Sequence, residues 1–407
     1  MMTTTTLKQS FSLPSDAPAA ARTVFRLLGQ LRHGSLDVQL PDGSTAHFGG
    51  TVEPRAALRI RDWALCSAVL RSGDIGFAES YVAGHWSSPD LRALLELFIR
   101  NREALESVVY GHWWGALLHR ARHLLNRNTR EGSRKNIHAH YDLGNAFYKL
   151  WLDESMNYSS AWFDGNTEQS MTAAQNAKTR RALEECGVKA GDRVLEIGCG
   201  WGAVAESAAR DFGAHLTGVT LSNEQLDWAK NRLQQAGLSE QVDLRYQDYR
   251  DITDTGFDAV ISIEMFEAVG REYWDGYFKT LHAKLKPGGR ACIQSITIRD
   301  DLFERYTRST DFIQQYIVPG GMLPSPSQFR AYANRAGLRV VNELAFGQDY
   351  ALTLHRWREA FLRHEGAVRE QGFDTRFMRL WEFYLAYCEA AFAAGNTDVM
   401  QFTLARD

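Results

Sequence analysis

The segment EIGCGWG places three glycines, Gly198, Gly200 and Gly202, where an apolar strand gives way to a helix. Glycine has no Cβ atom, so the backbone at such a turn can approach a bound ligand closely. A dinucleotide site would have a third glycine at another spacing and an acidic residue closing the second strand, but Thr220 stands at that strand end. The pattern therefore departs from a nicotinamide dinucleotide site.

Residues at the neighbouring strand ends can complete a nucleoside pocket. Asp248 can accept a hydrogen bond from an adenine amino group, Tyr249 can cover the base, and Gln225 can reach ribose hydroxyls. With the glycine turn and Thr220, these positions resemble the class I methyltransferases that bind S-adenosylmethionine, whose cofactor has no pyrophosphate. The plainer alternative is a turn that permits tight packing, beside solvated loop residues.

A parallel sheet must position these residues. Apolar strands alternate with segments of helical spacing from residue 192 onward. The predicted strands are 192–200, 214–222, 242–249, 257–270 and 289–298. This alternation predicts a doubly wound α/β sheet with its ligand at the carboxyl ends of the strands.

Length and charge bound the domain organisation. A chain of 407 residues exceeds what a single core usually serves, so we expect two domains. The net charge of -3, with both signs mixed along the chain, excludes a general nucleic-acid signature. The expected division is a disordered start at 1–21, an α+β domain at 22–125, a basic linker at 126–136 and a catalytic domain at 137–407.

The N-terminal domain has local signals of its own. Residues 34–49 predict a hairpin that turns at Pro41-Asp42-Gly43, and residues 90–108 predict an amphipathic helix. The end of the domain sets Trp113 and Trp114 before a basic cluster. That cluster comprises Arg120, Arg122, Arg127, Arg130, Arg134 and Lys135. Such a segment suits an anionic membrane surface, and it suits equally a helix docked on the core before a solvated linker.

Cysteine usage and the start of the chain indicate the compartment. The five cysteines are scattered and never paired as CxxC, which favours a reducing compartment over a disulfide framework or a zinc site. The start shows no secretory leader and no stretch has the length of a membrane span, so we expect a cytoplasmic protein. His138 and His140 have no acidic residue at metal-ligand spacing, and we expect no metal.

Six segments carry a specific resemblance. They are HYDLGNAFYKLWLDESMNYSSAWF, VLEIGCGWG, GVTLSNEQ, EMFEAVG, IVPGGMLPS and DYALTLHRW, in this order. Together they resemble the family of cyclopropane-fatty-acyl-phospholipid synthases and mycolic acid cyclopropane synthases over about residues 135–360, and more loosely over the N-terminal domain. The resemblance implies a Rossmann-like methyltransferase sheet with a helical insertion over the substrate channel, here 299–325. It also implies transfer of a methyl group from S-adenosylmethionine to a cis double bond of a phospholipid acyl chain.

The resemblance assigns roles to residues of the site. Tyr158 and Ser159 would lie against the cofactor, and the backbone of Ser160 would border the reaction centre. A bound bicarbonate would remove the proton that closes the cyclopropane ring, held by Glu267, Tyr350, a histidine and nearby backbone groups. Aromatic faces stabilise the intervening carbocation, and the candidate rings are Trp162, Phe163, Tyr316 and Tyr350. The implied location is the inner face of the membrane, with peripheral attachment, and a homodimer is compatible with it.

Two departures from the family pattern bear on the product. Ser160 stands where many members have cysteine, which matters little if the backbone alone is used. Gln294 stands where the bicarbonate-binding histidine is expected, and an amide can hold an anion but cannot carry a proton at neutral pH. The alternative outcome is proton loss from the chain, which gives a methyl-branched or methylene fatty acid. Glu267 also has a plainer interpretation as a carboxylate at a helix N-terminus.

Two other classes of protein remain compatible with the sequence. Some plant alkaloid N-methyltransferases share these motifs, but they tend to carry a histidine after the glutamate, where this chain has Ala268. A lipid-binding module that has lost catalysis is the other, and it predicts no binding of S-adenosylmethionine.

Overall fold

The structure is a computed structural model, and it describes residues 13–15, 17–50, 53–109 and 143–407. The chain divides into two compact units, Met1–Ala116 and Leu117–Asp407. The segment with Trp113, Trp114 and the basic cluster, the predicted linker, His138 and His140 lie outside the described residues. In the described parts of the chain, no helix combines the length and apolarity needed to span a membrane.

The first unit is a small α+β fold. Its elements are α1 (Ala19–Leu28), β1 (Ser35–Gln39), β2 (Thr45–Gly49), β3 (Arg55–Ile60), α2 (Ala64–Ala83), β4 (Trp86–Ser87), α3 (Leu91–Arg100) and α4 (Arg102–Val109). Its sheet has the order β2-β1-β3-β4, and β1 pairs antiparallel with β2 and parallel with β3. The predicted hairpin is confirmed. Helix α1 begins inside the segment for which the sequence predicts disorder, because Ala21 is fully buried against the core.

The predicted helix over 90–108 is two helices, broken at Asn101. The Asn101 side chain accepts hydrogen bonds from the backbone N–H groups of Arg32 and His33 at 2.7 and 2.9 Å. It also donates to the carbonyls of His33 and Leu97 at 2.7 and 2.8 Å. This buried amide satisfies the backbone before β1, and periodicity alone does not reveal such a long-range partner.

The second unit is built around a seven-stranded sheet of order β10-β11-β9-β8-β5-β6-β7. Its strands are β5 (Arg193–Ile197), β6 (His215–Thr220), β7 (Val242–Tyr246), β8 (Phe257–Ile263), β9 (Leu285–Ile298), β10 (Leu338–Ala345) and β11 (Thr397–Arg406). Strands β5 to β9 pair in parallel, as the alternation predicts. Strand β11 lies antiparallel between β9 and β10, and neither β10 nor β11 is among the predicted strands.

Helices cover both faces of this sheet. They are α5 (Asn145–Tyr148), α6 (Met171–Glu185), α7 (Ala203–Arg210), α8 (Asn223–Gln235), α9 (Trp274–Lys284), α10 (Asp300–Tyr306), α11 (Phe312–Tyr316), α12 (Pro326–Arg335), α13 (Gly347–Arg363), α14 (Glu365–Glu370) and α15 (Thr375–Ala393). Successive residues of a strand enter opposite cores: Val194 packs with Ala205 and Leu226, whereas Leu195 shares a core with Phe278. Burial on both faces explains why these strands are continuously apolar in sequence.

The predicted insertion at 299–325 contains α10 and α11. Phe312 is fully buried and packs edge-to-face on Phe383 of α15, with ring centroids 5.0 Å apart. At the end of the insertion, the N–H of Met322 donates to the carbonyl of Glu267 at 2.8 Å. The insertion is therefore bonded directly to a residue of the expected reaction centre.

Candidate active site

A cavity opens at the carboxyl ends of the parallel strands, where the predicted site should lie. Seven of the nine predicted cofactor residues line it: Tyr158, Ser159, Gly198, Gly200, Thr220, Gln225 and Tyr249. A Cβ atom at Gly200 would meet nothing within 4 Å, so the backbone faces open space there. This lining suits S-adenosylmethionine, because a glycine backbone, three polar side chains and two tyrosine rings surround one space. The binding roles themselves stay predictions.

The other two predicted cofactor residues do not line the cavity. Gly202 has φ 85°, and a Cβ atom there would lie 2.9 Å from the Cβ of Ala229, so this glycine permits helix packing. The Asp248 carboxylate is bonded by the Arg250 guanidinium at 2.8 and 2.6 Å. Gln247, which the sequence analysis passed over, lines the cavity beside Tyr249.

Local capping orders the rim formed by α8. Ser222 is the N-cap, and its side chain accepts a hydrogen bond from the N–H of Gln225 at 3.3 Å. The Thr220 hydroxyl donates to the Gln225 side-chain oxygen at 3.3 Å, and both residues are buried. The cap thus places the Gln225 amide at the end of β6, facing the cavity.

The stretch MNYSSAWF closes the cavity from the other side. The Tyr158 hydroxyl lies 2.6 Å from that of Tyr384, and its ring lies 5.5 Å from the rings of Trp151 and Trp357. These aromatic neighbours come from α13, α15 and the segment after α5, so they assemble only in the folded chain. The serines between the rings are held by polar partners instead.

Ser159 is held by α6. Its hydroxyl accepts from the Lys178 ammonium at 2.6 Å, and its carbonyl accepts from the Gln175 amide at 2.8 Å. Lys178 is fully buried. Burial lowers its pKa to about 8, although the charges of Glu264, Asp153 and Glu196 act in the other direction. No motif indicated this buried lysine, which bonds a residue that lines the cavity.

Glu264 is the centre of the expected reaction site. Its Oε1 accepts from the Ser160 N–H at 2.8 Å and from the Gln294 amide at 2.7 Å, and its Oε2 accepts from the Tyr350 hydroxyl at 2.6 Å. The residue lines the cavity and has φ 48°, a left-handed conformation that costs an L-residue about 1–2 kcal/mol. Burial raises its pKa, while the Tyr350 hydrogen bond and the Lys178 charge oppose that shift.

Glu267 is buried in a 3-10 turn, Phe266–Ala268, rather than at a helix N-terminus. Its Oε1 accepts a hydrogen bond from the Ile296 N–H, and its Oε2 has no hydrogen-bond partner among the described residues. Burial and the charge of Glu264 raise its pKa to about 8. Three hydrogen bonds favour the anionic form of Glu264, so a proton shared by this carboxyl pair is better held by Glu267.

The residues to which the resemblance assigns bicarbonate thus converge, but bicarbonate does not fit between them. Ser160, Gln294 and Tyr350 all direct their donors at Glu264. An added anion would have to displace a carboxylate of the chain itself. The sequence signal for this arrangement is the acid that opens EMFEAVG, three residues before Glu267.

The aromatic candidates for stabilising a cation separate in the structure. Tyr350 bonds Glu264, whereas Phe163 is buried in a separate small cluster with Ala161 and Ala174. Tyr316 lies on α11 with 39% of its surface exposed, so it is not enclosed with Glu264. The Arg181 guanidinium carbon lies 5.8 Å from the ring centroid of Trp162.

The model of a protein family described as mycolic acid cyclopropane synthetase matches residues 128–402. The chain is 39% identical to tuberculostearic acid methyltransferase UfaA1 of Mycobacterium tuberculosis over 401 residues, covering 96% of this chain and 92% of that protein. It is 33% identical to cyclopropane-fatty-acyl-phospholipid synthase of Escherichia coli K12, covering 86% and 88%.

Solved structures agree with the fold. The mycolic acid cyclopropane synthase CmaA1 in complex with SAH and CTAB is similar at a TM-score of 0.63 and 29% identity, covering 67% of this chain and 98% of that one. The cyclopropane synthase MmaA2 of Mycobacterium tuberculosis has the same TM-score at 27% identity. The predicted fold class, an α/β methyltransferase sheet, is confirmed by these two similarities.

Proposed function

Because the chain belongs to the mycolic acid cyclopropane synthetase family, we propose that it methylates the cis double bond of an unsaturated phospholipid acyl chain. The family relation makes it an S-adenosylmethionine-dependent methyltransferase of lipids. The name of the Escherichia coli relative supports a phospholipid as the specific substrate. A phospholipid substrate would place the enzyme peripherally at a membrane surface. The homodimer stays a prediction from the resemblance.

One observation carries the proposal: a partly buried carboxylate, that of Glu264, opens onto the cavity. Glu264 lines the same cavity as Gly200 and Tyr158. An alkene that gains a methyl group becomes a cation and must lose a proton, whereas a neutral amine can keep its proton as an ammonium. A carboxylate at this position therefore favours methylation of carbon over methylation of nitrogen.

The side chains around the cavity have separate tasks in this reaction. S-adenosylmethionine supplies an electrophilic methyl group on its sulfonium when it is bound. Ser159, Thr220 and Gln225 offer it polar contacts, and Tyr249 offers a ring face. An alkene is a weak nucleophile, so the site must exclude water and hold the reactants together. Tyr158 lines the cavity and has the buried rings of Trp151 and Trp357 packed beside it, which makes this side of the site apolar.

Loss of one proton is compatible with three products, which differ in the carbon that loses the proton and in whether a ring closes. Loss from the added methyl group gives a cyclopropane by ring closure, or an exocyclic methylene after a hydride shift along the chain. Loss from a chain carbon gives a methyl-alkene. The similarity to tuberculostearic acid methyltransferase UfaA1 supports a methyl or methylene product, and the similarity to cyclopropane synthases supports the ring. A saturated methyl branch would need a hydride donor in a further reaction.

The test uses the purified protein, methyl-deuterated S-adenosylmethionine and vesicles of dioleoylphosphatidylglycerol. We expect labelled acyl chains by mass spectrometry, and none from vesicles of the saturated dipalmitoyl lipid. Two deuterons retained indicate a cyclopropane or a methylene, which proton NMR separates by the high-field ring signals. Three deuterons retained indicate a methyl-alkene. Vesicle binding without any label transfer would overturn the proposal in favour of a binding module.

A further inference from the structure

A side chain of the protein occupies the place that the resemblance assigns to bicarbonate. A carboxylate presents two anionic oxygens in one plane, as bicarbonate does, and it satisfies the same donors from Ser160, Gln294 and Tyr350. Resting on the function proposed above, we infer that Glu264 is the proton acceptor of the reaction and that this enzyme needs no bicarbonate.

The backbone at Glu264 supports a functional reason for the residue. It directly follows β8, and its left-handed φ of 48° is one that glycine adopts without strain. Its N–H donates to the Gln294 carbonyl at 2.8 Å, which keeps the turn attached to β9. A strained non-glycine residue that lines a cavity is retained for its side chain, since glycine would make the same turn more easily.

A chain of hydrogen bonds fixes Gln294 as a donor to Glu264. The Arg181 guanidinium, which can only donate, bonds the side-chain oxygen of Gln401 at 2.6 Å. The amide nitrogen of Gln401 then donates to the side-chain oxygen of Gln294 at 3.0 Å. The nitrogen of Gln294 is left to face Glu264 at 2.7 Å. The order of donors along this chain excludes the flipped amide, so the site is arranged to hold an anion.

The other groups of the cluster are unsuited to accept the proton. An amide such as Gln294 is not basic at neutral pH. Burial raises the pKa of Tyr350 well above its ordinary value, so its hydroxyl stays a donor. Glu267 does not line the cavity, and its burial and the charge of Glu264 raise its pKa. Glu264 is the member of this cluster that accepts three hydrogen bonds and remains available as a base.

Methyl transfer and proton loss together account for every bond and charge of the proposed reaction. A carbon of the double bond forms a bond with the methyl carbon. At the same time the bond between the methyl carbon and sulfur breaks, which leaves a neutral thioether. The positive charge is then on the acyl chain. A C–H bond of the methyl group or of the chain breaks, its proton moves to a carboxylate oxygen of Glu264, and its electron pair closes the ring or forms the alkene. The proton leaves to water on product release.

The first test measures turnover with labelled cofactor and dioleoylphosphatidylglycerol vesicles in carbon-dioxide-free buffer, with and without about 20 mM bicarbonate. We expect the unaltered protein to turn over equally in both. Glu264→Gln should lower turnover by about 10²-fold or more, as for loss of a general base, with the affinity for S-adenosylmethionine unchanged by calorimetry. Glu240→Gln, an exposed carboxylate in a turn, is the matched control and should retain full turnover.

A second variant, Glu264→Gly, removes the carboxylate and relieves the backbone strain. Its cluster should then accept bicarbonate, so turnover should become dependent on added bicarbonate and recover at least tenfold. The binding of ¹³C-bicarbonate to this variant without cofactor, followed by NMR, checks the same point without turnover. The unaltered protein should show no such binding.

The outcomes separate the two proposals. Turnover of the unaltered protein that rises tenfold with bicarbonate, or Glu264→Gln that keeps most of the turnover, would overturn the role of Glu264 while leaving the methylation of acyl chains intact. No labelled lipid from the unaltered protein in either buffer would overturn the proposed function, and the inference about Glu264 with it.

Discussion

The ammonium of Lys178 lies 2.6 Å from the hydroxyl oxygen of Ser159, inside a fully buried site. An ammonium can only donate, so the Ser159 oxygen is the acceptor in this contact and its own proton is directed elsewhere. Ser159 lines the cavity, and that proton is therefore available to an acceptor such as the carboxylate of a bound cofactor.

Lys178→Met should weaken the binding of S-adenosylmethionine by about tenfold or more, because the Ser159 hydroxyl would lose the donor that directs its proton toward the cofactor carboxylate. A hydrogen bond to a charged group contributes about 1.5–3 kcal/mol. Methionine keeps the length and apolar stem of the side chain, so the core should remain packed. Isothermal calorimetry measures the effect. Lys230→Met, at an exposed position of α8, is the control, and an unchanged affinity of Lys178→Met would contradict the role.

Tyr350→Phe should lower turnover by about 10–100-fold and leave the affinity for the cofactor unchanged. The ring keeps its packing against Phe392, at 4.4 Å between centroids, while Glu264 loses one of its donors. Loss of a donor to the anion raises the pKa of Glu264, so the acidic limb of the pH–rate profile should move to higher pH. Tyr332→Phe, on α12, is the matched variant. A lower rate with an unmoved profile would assign Tyr350 a structural role alone.

Glu267 should make stability depend on pH. Its pKa is raised from 4.5 to about 8 in the folded chain, so its contribution to stability is complete below about pH 4.5 and is lost as the pH rises through about 8. Urea unfolding at about pH 6 and pH 8.5 measures this. The free energy of unfolding of the unaltered protein, relative to that of Glu267→Gln, should be lower at about pH 8.5 than at about pH 6. An equal difference at both pH values would show that the pKa of Glu267 is not raised.

Two glycines of the turn should respond differently to alanine. Gly202→Ala should cost about 1–3 kcal/mol of stability, because its Cβ would lie 2.9 Å from that of Ala229, and it should spare cofactor affinity. Gly200→Ala meets no atom within 4 Å and should cost about 1 kcal/mol, but it should weaken cofactor binding because the residue lines the cavity. Each variant is the control for the other in calorimetry and urea unfolding, and the reverse pattern would contradict both assignments.

The amino-acid sequence determined the parts of the protein that depend on local pattern. The alternation of apolar strands and helices predicted the parallel strands β5 to β9, because burial on both faces makes each strand continuously apolar. The glycine turn and the motif order predicted the cavity and the family. The family resemblance assigned Ser160, Gln294 and Tyr350 to one site, and they do meet there although they lie far apart in the chain.

The tertiary structure alone decided which side chain those neighbours bind. Strand β11 pairs with β9 across about a hundred residues, setting Gln401 opposite Gln294, and no local periodicity specifies such a pairing. That contact fixes the direction of the Gln294 amide, and the left-handed turn after β8 sets Glu264, rather than Glu267, before the converging donors. Hydrogen bonding depends on distance and direction in space, so residue types and spacing could name the donors without naming the anion that they hold.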